Sequence, residues 1–410
     1  MVSETFIIWS LGTSQGKGMR IAVVTTRDRR VSETFISDYI VVLRKLGHEI
    51  IFFPLRGAGA DEWLRGSARP EEGGREWISE PCWELLVASF GESARRLTEI
   101  FIPLCDAIRR ARPDVIHAHY LTPAGALCVE AKLRGLLGDI PVVVSLHGVD
   151  IFKNGCSVPK SAAWCCRNAD ALIHNSPAMA ACLDAWEVDV QSTHYIRRGI
   201  LLTKFPKPLK VRKEPRRLLA VARLVAKKGL GTLLAAFAEV RAAWPGPLTL
   251  RIVGEGPEGV RLKAQAAAAE LADSVEFLGE LPNHEVLGEM RRADVFCLLC
   301  CGAEDGDMDG APNVVQEAQY LRVPVVSTWI SGLPGIVEPG RTALLVPPGD
   351  PTAAANAILL LLANRDLRTK LGMEGRRFVR RELSMCKNVK HRVIPLLSRI
   401  IEQCATVRPK

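Results

Sequence analysis

Short apolar runs alternate with amphipathic stretches along most of the chain. The runs are rich in Val, Ile and Leu and have few polar interruptions, which is typical of strands buried on both faces of a parallel sheet. The stretches between them repeat their apolar residues at helical spacing. This strand–helix alternation predicts an α/β fold built on doubly wound parallel sheets.

The alternation occurs twice. Strands of the first half are predicted over residues 20–26, 49–54, 115–118, 142–146 and 171–175, with helices over 32–46 and 85–112. Strands of the second half are predicted over 218–222, 248–253, 275–278, 295–299, 323–327 and 343–346, with helices over 229–244, 258–271, 285–293, 314–321 and 351–363. A Pro- and Lys-rich connector separates the halves.

These boundaries predict two Rossmann-like domains that face a central cleft, where a ligand is expected. The N-terminal domain covers residues 19–205 and the C-terminal domain covers 206–387, with a last helix over 388–404 that packs back on the first domain. Residues 1–18 are an N-terminal extension. Because Val-Ser-Glu-Thr-Phe-Ile at 2–7 recurs at 31–36, either the extension is disordered or the natural start is Met19.

Composition narrows the class of protein. A chain of 410 residues with 48% hydrophobic residues is long enough for two globular cores. No apolar run approaches the roughly 20 residues that a membrane span needs. Most of the 12 cysteines lie in apolar surroundings without a zinc-binding spacing, which predicts free thiols in a reducing, cytoplasmic compartment.

The net charge of +9 lies almost entirely in the second half, where 30 Lys and Arg face 22 Asp and Glu. The basic residues are scattered and lack aromatic interleaving, so nucleic acid is not an expected partner. A phosphorylated small molecule or an anionic membrane surface fits better. The amphipathic segment 95–112, flanked by arginines, is typical of a core helix or of a helix lying on lipid, here at the cytoplasmic face of the inner membrane.

The acidic loop of residues 304–312 suggests the chemistry. Asp309 and Glu317 lie eight positions apart, where a predicted strand leads into a helix. Ligands of open α/β sheets bind at this edge, helix N-termini offer N–H groups to phosphate, and carboxylates accept hydrogen bonds from sugar hydroxyls. The arrangement therefore suits a nucleotide sugar.

Three other interpretations use the same residues. Asp305, Asp307 and Asp309 match the first half of a calcium loop, but Gln316 stands where that loop needs glutamate and Pro312 interrupts it. Asp305 and Asp307 alone match a two-acid metal motif. The last interpretation is a solvated acidic loop without function. No metal site is predicted.

Other candidates also lie at strand ends. Arg223 and Lys228 follow the first strand of the second domain and are placed to meet phosphate. The turns with Gly254 and Gly256, and with Leu281, follow later strands and would lie near a base or ribose. Each of these features is also compatible with an ordinary exposed loop.

In the first domain, His147 and His119 end strands and are candidate site residues. Gly148 leaves room beside His147, and Asp150 is predicted to orient or charge its ring. Ser32 is a candidate cap for the next helix, with Glu33 in its first turn.

These motifs occur in a definite order along the chain. They are Ser32-Glu33-Thr34-Phe35-Ile36, His117-Ala118-His119, His147-Gly148-x-Asp150, Ala222-Arg223-Leu224 with Lys228-Gly229, Val253-Gly254-x-Gly256-Pro257, the acidic loop up to Glu317, and Leu345-Val346-Pro347-Pro348-Gly349-Asp350. In this order the sequence resembles the retaining, nucleotide-sugar-dependent family 4 glycosyltransferases of the GT-B fold. The first motif and the Asp-Gly-Asp-Met loop are most similar to the branch that builds exopolysaccharides such as colanic acid.

The resemblance implies roles for the candidates. Arg223 and Lys228 would hold the donor diphosphate, Glu317 the ribose, and Asp309 the transferred sugar, at a position where the family carries glutamate. The implied donor site also includes Gly254, Gly256, Leu281, Asn313 and Val314. His147 would contact the sugar and the reacting region, and the catalytic set would be His147, Asp309, Arg223 and Lys228. The implied acceptor side is His119, Asp150, Ser32 and Glu33.

The function that this resemblance implies is transfer of a hexosyl-type sugar from a nucleoside-diphosphate sugar to a hydroxyl of a glycan or lipid-linked acceptor. The anomeric configuration would be retained, and neither cofactor nor metal is expected. Alternatives are a non-catalytic nucleotide-sugar-binding subunit of a polysaccharide assembly and a nucleotide-sugar epimerase. Gly335 stands where many family members have glutamate, and Leu201 where many have aspartate. These departures would affect substrate choice or activity.

Overall fold

The structure is a computed structural model that describes residues 18–26, 34–64, 75–155, 157–303, 306–330 and 332–406. The repeat at residues 2–7, Ser32 and Glu33 lie outside these ranges. The candidates on the acidic loop from Asp307 onward lie within them.

The first six strands form one parallel sheet in the order β2-β1-β3-β4-β5-β6. The strands are β1 (Arg20–Thr25), β2 (Glu49–Pro54), β3 (Val115–His119), β4 (Val142–Ser145), β5 (Ala171–His174) and β6 (Thr193–Tyr195). The helices around them are α1 (Thr34–Lys45), α2 (Ala58–Leu64), α3 (Glu80–Phe90), α4 (Ala94–Glu99), α5 (Phe101–Ala111), α6 (Ala126–Leu133), α7 (Pro159–Asn168) and α8 (Pro177–Ala185).

The next six strands form a second parallel sheet in the order β12-β11-β10-β7-β8-β9. The strands are β7 (Arg217–Val221), β8 (Thr249–Val253), β9 (Val275–Phe277), β10 (Val295–Leu298), β11 (Val325–Thr328) and β12 (Leu344–Val346). The helices are α9 (Leu230–Ala243), α10 (Gly259–Ala268), α11 (Asn283–Arg292), α12 (Asn313–Tyr320), α13 (Pro351–Ala363), α14 (Arg365–Glu382), α15 (Met385–Asn388) and α16 (Ile394–Thr406).

Each sheet has one point where the strand order reverses, between β1 and β3 in the first and between β7 and β10 in the second. Ligands of doubly wound sheets bind outside the carboxyl ends of the strands at such a point. The predicted phosphate-binding loop follows β7 and the acidic loop follows β10. The topology therefore brings these two loops together although they lie about 80 residues apart in the sequence.

Both faces of each sheet are covered, as the continuous apolar strands predict. Along β1, Ala22 and Val24 pack into one hydrophobic cluster, whereas Ile21 and Val23 pack into the cluster on the other face. The C-terminal helix α16 contributes Leu396, Leu397 and Ile400 to this second cluster. The chain thus ends on the core of the first sheet.

One predicted element is wrong, and some observed elements were not predicted. The segment 85–112 is not one helix, because Gly91 at the end of α3 has a positive φ of 53° and the chain continues as α4 and α5. Strand β6 and the 18-residue helix α14 were not predicted. Strand β6 is only three residues long and shows no apolar alternation, whereas α14 lies in an Arg-rich segment although its buried Leu371, Phe378 and Val379 are at helical spacing.

The amphipathic stripe of α4 and α5 is core. Leu97, Phe101, Leu104 and Ile108 are each no more than 1% exposed and pack into the hydrophobic cluster on one face of the first sheet. The interpretation that this stripe lies on lipid is therefore wrong. Within the described ranges no helix has the length and apolarity needed to cross a bilayer.

Candidate active site

The loops that follow β4 and β10 meet in the cleft between the two sheets. A Cβ atom built on Gly148 would lie 2.7 Å from the backbone nitrogen of Gly310 and 3.2 Å from the carbonyl oxygen of Met308. Any side chain at position 148 would push these backbones apart. The acidic loop of the second domain therefore lies directly against the His147–Gly148 turn of the first.

Gly229 sets the position of Lys228. It has a left-handed conformation (φ 62°) at the start of α9, and a Cβ there would lie 1.7 Å from the carbonyl oxygen of Leu299, just after β10. The turn that carries Lys228 can pack this closely on the end of β10 only because residue 229 is glycine. As a result, Lys228 reaches the acidic loop.

Lys228 and Asp309 form an ion pair with an Nζ–Oδ2 distance of 2.7 Å. The thiol of Cys300 donates to the same oxygen at 3.3 Å, and the neighbouring Lys227 pairs with Asp307 at 2.9 Å. Burial alone would lower the pKa of Lys228, but the charge and hydrogen bond of Asp309, together with Cys300 and Asp307, outweigh burial and raise that pKa. Burial alone would raise the pKa of Asp309, but the charges of Lys228 and Lys227, together with the hydrogen bonds from Lys228 and Cys300, outweigh burial and lower that pKa. Both groups are therefore charged.

These pairs disagree with a calcium loop. The carboxylates of Asp307 and Asp309 are each bound to a lysine, whereas a calcium loop turns its acids towards the ion. Across the described part of the chain no three His, Cys, Asp or Glu side chains are grouped as metal ligands.

Arg223 has an exposed side chain on the loop that follows β7. The backbone of this loop is held by hydrogen bonds from the Ala222 N–H to the Val253 carbonyl (3.0 Å) and from the Leu224 N–H to the Glu255 carbonyl (2.9 Å). A Cβ on Gly254 would lie 1.9 Å from the Ala222 carbonyl oxygen. Gly254 thus has a packing role, and Gly256 meets the same loop at Leu224. Their predicted contact with a base stays a prediction.

The remaining donor-side candidates lie on or near α12. Asn313 opens the helix and accepts a hydrogen bond at Oδ1 from the Arg198 guanidinium at 2.8 Å. Val314 and Leu281 are partly buried against the second sheet. Glu317 lies one turn along the helix from Asn313.

Glu317 faces the first domain and not Asp309. It lines a small polar hollow together with Asp38, which forms an ion pair with Lys204. Burial, reinforced by the negative charge of Asp38, raises the pKa of Glu317 to about 7, and Lys204 partly offsets this. Asp309 and Glu317 therefore serve different parts of the cleft.

His147 belongs to a cluster of neutral aromatic side chains at the ends of β3 and β4. Its ring lies 4.2 Å from that of Tyr120 and 5.8 Å from that of His119. Burial lowers the pKa of His147 and of His119 well below the usual value, helped by the nearby positive charge of Arg198. Among the described residues, both ring nitrogens of His119 and Nε2 of His147 have no hydrogen-bond partner.

Asp150 does not orient the His147 ring, contrary to the sequence-based prediction. Its carboxylate accepts a hydrogen bond from the backbone N–H of His147 at 2.8 Å and is only 1% exposed. Burial raises the pKa of Asp150 to about 7, although the His147 N–H works against this. Asp150 thus stabilises the backbone of the His147–Gly148 turn and does not contact the His147 ring through a hydrogen bond.

Two arginines that the sequence analysis did not single out cross the cleft. Arg197 donates from Nε to the Gly335 carbonyl at 2.9 Å and pairs with Glu382 at 3.2 Å. Arg198 reaches His147 and Asn313 and stacks on Phe35. Both follow the unpredicted strand β6, so no strand end marked them as site candidates. Of the predicted acceptor side, the structure describes His119 and Asp150 only.

Comparison with solved structures shows the fold. A glycosyltransferase from Rickettsia africae superposes with a TM-score of 0.71 over 94% of this chain and 100% of that chain, at 16% identity. Anabaena HepE, in a complex with UDP, superposes with a TM-score of 0.67 over 93% and 100% of the respective chains, also at 16% identity. The fold is therefore GT-B, with two Rossmann-like domains.

Comparison at the level of sequence shows the family. The model for Glycosyltransferase Family 4 matches residues 32–204, and the model for glycosyl transferases group 1 matches residues 203–378. WcaL of Escherichia coli K12, assigned to colanic acid biosynthesis as a glycosyltransferase, is 32% identical over 80% of this chain and 86% of its own. The amylovoran biosynthesis glycosyltransferase AmsK of Erwinia amylovora is 38% identical over 61% and 60% of the two chains. This chain belongs to the family 4 glycosyltransferases, in the branch that is similar to the colanic acid enzymes.

Proposed function

We propose that this protein transfers a sugar from a nucleoside-diphosphate sugar to a hydroxyl of a glycan or lipid-linked acceptor with retention of anomeric configuration. The observation that carries the proposal is the Lys228–Asp309 pair at the strand-order reversal of the second sheet, against the His147–Gly148 turn of the first domain. The names of WcaL and AmsK place those relatives in colanic acid and amylovoran biosynthesis. Cell-surface polysaccharide synthesis, from the cytoplasmic side of the membrane, is part of the same proposal.

The proposed chemistry needs charge stabilisation on the leaving diphosphate. Lys228, Arg223 and the free N–H groups at the start of α12 would supply it, because preorganised cations and amides act strongly in a site that excludes water. Burial lowers the pKa of His147 and makes its ring a weak base, so it would position the sugar by a hydrogen bond and not remove a proton. The leaving phosphate itself would accept the proton of the acceptor hydroxyl on the same face of the sugar.

A panel of UDP-, GDP- and ADP-sugars incubated with the full chain tests the proposal. Transfer or slow hydrolysis of one donor is expected, with the first-formed product in the same anomeric configuration as the donor, and with unchanged rates in EDTA. The variants Arg223→Ala and Lys228→Ala should lose this activity, whereas Lys370→Ala, an exposed lysine on α14, should keep it. Full activity of both site variants would contradict the phosphate assignment.

The same assay separates the alternatives. A non-catalytic subunit would bind a donor in calorimetry but show neither transfer nor hydrolysis with any acceptor mixture. An epimerase would convert the donor itself when no acceptor is present. Either result would replace the proposal of sugar transfer.

A further inference from the structure

Arg198 lies between the two domains and contacts both. Its guanidinium donates to Nδ1 of His147 at 3.4 Å, to Oδ1 of Asn313 at 2.8 Å and to the Ala311 carbonyl at 3.4 Å, and it stacks on the Phe35 ring at 4.0 Å. Its Nε is buried and has no acceptor among the described residues. Arg198 therefore reaches the sugar side of the proposed site with spare hydrogen-bonding capacity.

None of these partners carries negative charge. Three neighbouring cations that are at least partly buried each have an acid, whereas Arg223 is exposed to solvent: Lys228 has Asp309, Lys227 has Asp307, and the adjacent Arg197 has Glu382. In the described part of the chain, no carboxylate pairs with Arg198. Because an uncompensated charge away from water is costly, such a cation in a cleft indicates a place where a ligand supplies the counter-charge.

Arg198 also determines what His147 presents to a ligand. A guanidinium has only donors, so Nδ1 of His147 must accept and its hydrogen must lie on Nε2. Nε2 is buried without a partner among the described residues. His147 and Arg198 thus offer only N–H donors to the space they border, which selects a group that only accepts.

The space itself is small. His147, His119 and Arg198 form one side of a cavity of about 50 Å³, and Ile173, Ile196 and Met385 form part of the other. This volume is a few times the roughly 10–15 Å³ that a cavity needs to hold one water, so it accommodates a small group such as a carboxylate. The apolar wall keeps water away and strengthens a pairing between an anion and the guanidinium.

We propose that Arg198 and His147 bind the carboxylate of an acidic sugar, so that the enzyme is selective for a uronic acid on the donor or on the terminal acceptor residue. A carboxylate fits better than phosphate because the cavity is small and lies beside His147, whereas the diphosphate is assigned to Arg223 and Lys228. This inference rests on the proposed function, since it names the substrate class of the same site.

The test uses sugar pairs that differ only at C6. In the donor arm, binding of UDP-glucose is compared with UDP-glucuronic acid, UDP-galactose with UDP-galacturonic acid, and GDP-mannose with GDP-mannuronic acid by calorimetry. In the acceptor arm, KM is compared for aryl glucosides and aryl glucuronides. We expect the acidic member to be favoured at least about tenfold in one arm, because this is the usual contribution of a charge-assisted hydrogen bond. The arm that shows the preference identifies whether the donor or the acceptor carries the carboxylate.

Arg198→Gln should abolish this preference, so that the affinities for the acidic and the neutral member of a pair come within about threefold of each other. Arg198→Lys keeps the charge but not the planar guanidinium, so it should keep part of the preference. This variant also tests the inference if Arg198→Gln does not fold. Arg380→Gln is the matched control and should keep the full preference, because Arg380 is an exposed arginine on α14 outside the cleft. Histidine ¹⁵N shifts give an independent readout, because Arg198→Gln should release the fixed tautomer of His147.

Equal use of neutral and acidic sugars by the wild-type protein in both arms would overturn the inference while leaving the glycosyltransferase proposal intact. A preference that survives in Arg198→Gln would also overturn it. Failure to bind any nucleotide sugar would contradict the proposed function itself, and the inference with it.

Discussion

At the scale of single residues, the pKa values of Asp309 and Glu317 are shifted in opposite directions. Asp309 is held charged by Lys228, whereas Glu317 is near the midpoint of its titration at neutral pH because burial and Asp38 raise its pKa to about 7. Asp309 therefore acts as a fixed charge, and the donor phosphate that we propose at Lys228 would compete with it. Glu317 responds to pH.

The ion pair between Lys228 and Asp309 should contribute to stability. Lys228→Met leaves the largely buried Asp309 without its main partner, so we expect the free energy of unfolding to fall by about 1–3 kcal/mol. Adding Asp309→Asn should recover part of the loss. Denaturant unfolding of both single variants and the double variant measures the coupling, and strictly additive effects would show that the pair is not stabilising.

Glu317 should make stability depend on pH. Its folded pKa of about 7 lies above the ordinary value of 4.5, so the folded protein holds this proton more tightly than the unfolded chain does. The contribution of Glu317 is therefore most favourable at low pH and declines as pH rises from about 4.5 to 7. The melting temperature of wild type relative to Glu317→Gln should fall across this range.

The same exchange at an exposed carboxylate provides the control. Glu402→Gln, on the surface of α16, should show no such trend. Because ribose hydroxyls donate to an ionised carboxylate, donor affinity of the wild type should also rise between pH 6 and 8, at about the pKa of Glu317. A flat difference in melting temperature between wild type and Glu317→Gln would contradict the raised pKa.

At the scale of elements, loops at strand ends are held together by glycines. Gly148 meets Gly310 across the cleft, and Gly332, after β11, is as close: a Cβ there would lie 1.6 Å from the Gly310 carbonyl oxygen. The acidic loop is thus enclosed between a first-domain turn and a second-domain turn. Its position depends on close backbone contact more than on side-chain packing.

Gly148→Ala should therefore impair activity more than stability. The added methyl group would overlap the Gly310 backbone and displace the acidic loop from His147, and a misplacement of about 1 Å in an active site can cost on the order of 100-fold in rate. We expect a loss of at least about tenfold in kcat/KM with a small change in melting temperature. Gly302→Ala is the control, because nothing lies within 4 Å of a Cβ at that position.

At the scale of the whole molecule, the chain crosses between the domains twice, and the two crossings are joined. The Ile200 N–H donates to the Leu383 carbonyl at 2.9 Å, and the Met385 N–H donates to the Ile200 carbonyl at 3.0 Å. Asn388 adds a side-chain bond to the Arg197 carbonyl at 2.6 Å. The C-terminal helix then completes the core of the first sheet.

Shortening a buried side chain of α16 should destabilise the first domain, although α16 is far from that domain in the sequence. Leu397 on α16 is fully buried, so Leu397→Ala should lower the free energy of unfolding by about 2–5 kcal/mol. Leu360→Ala on α13, where the side chain is 50% exposed, should cost less than about 0.5 kcal/mol. Similar losses in the two variants would show that α16 is not part of the core.

The sequence alone determined the features that local pattern encodes. Apolar runs located eleven of the twelve strands, and the bounds of β2 and α13 were predicted to the residue. Arg223, Lys228, Asp309 and His147 were found because they follow predicted strands, and parallel sheets gather such ends at one edge. Periodicity reports burial within a segment, so it was sufficient for these assignments.

Only the tertiary structure decided what each side chain faces. Arg198 meets Asn313 across 115 positions, Glu317 faces Asp38 of the other domain, and Asp150 binds a backbone N–H in place of the histidine ring. Such contacts depend on how the two domains and their loops meet, and no period within a segment carries that information. The framework of the site was therefore predictable from local physics, whereas its charge pairing depends on contacts between residues far apart in the chain.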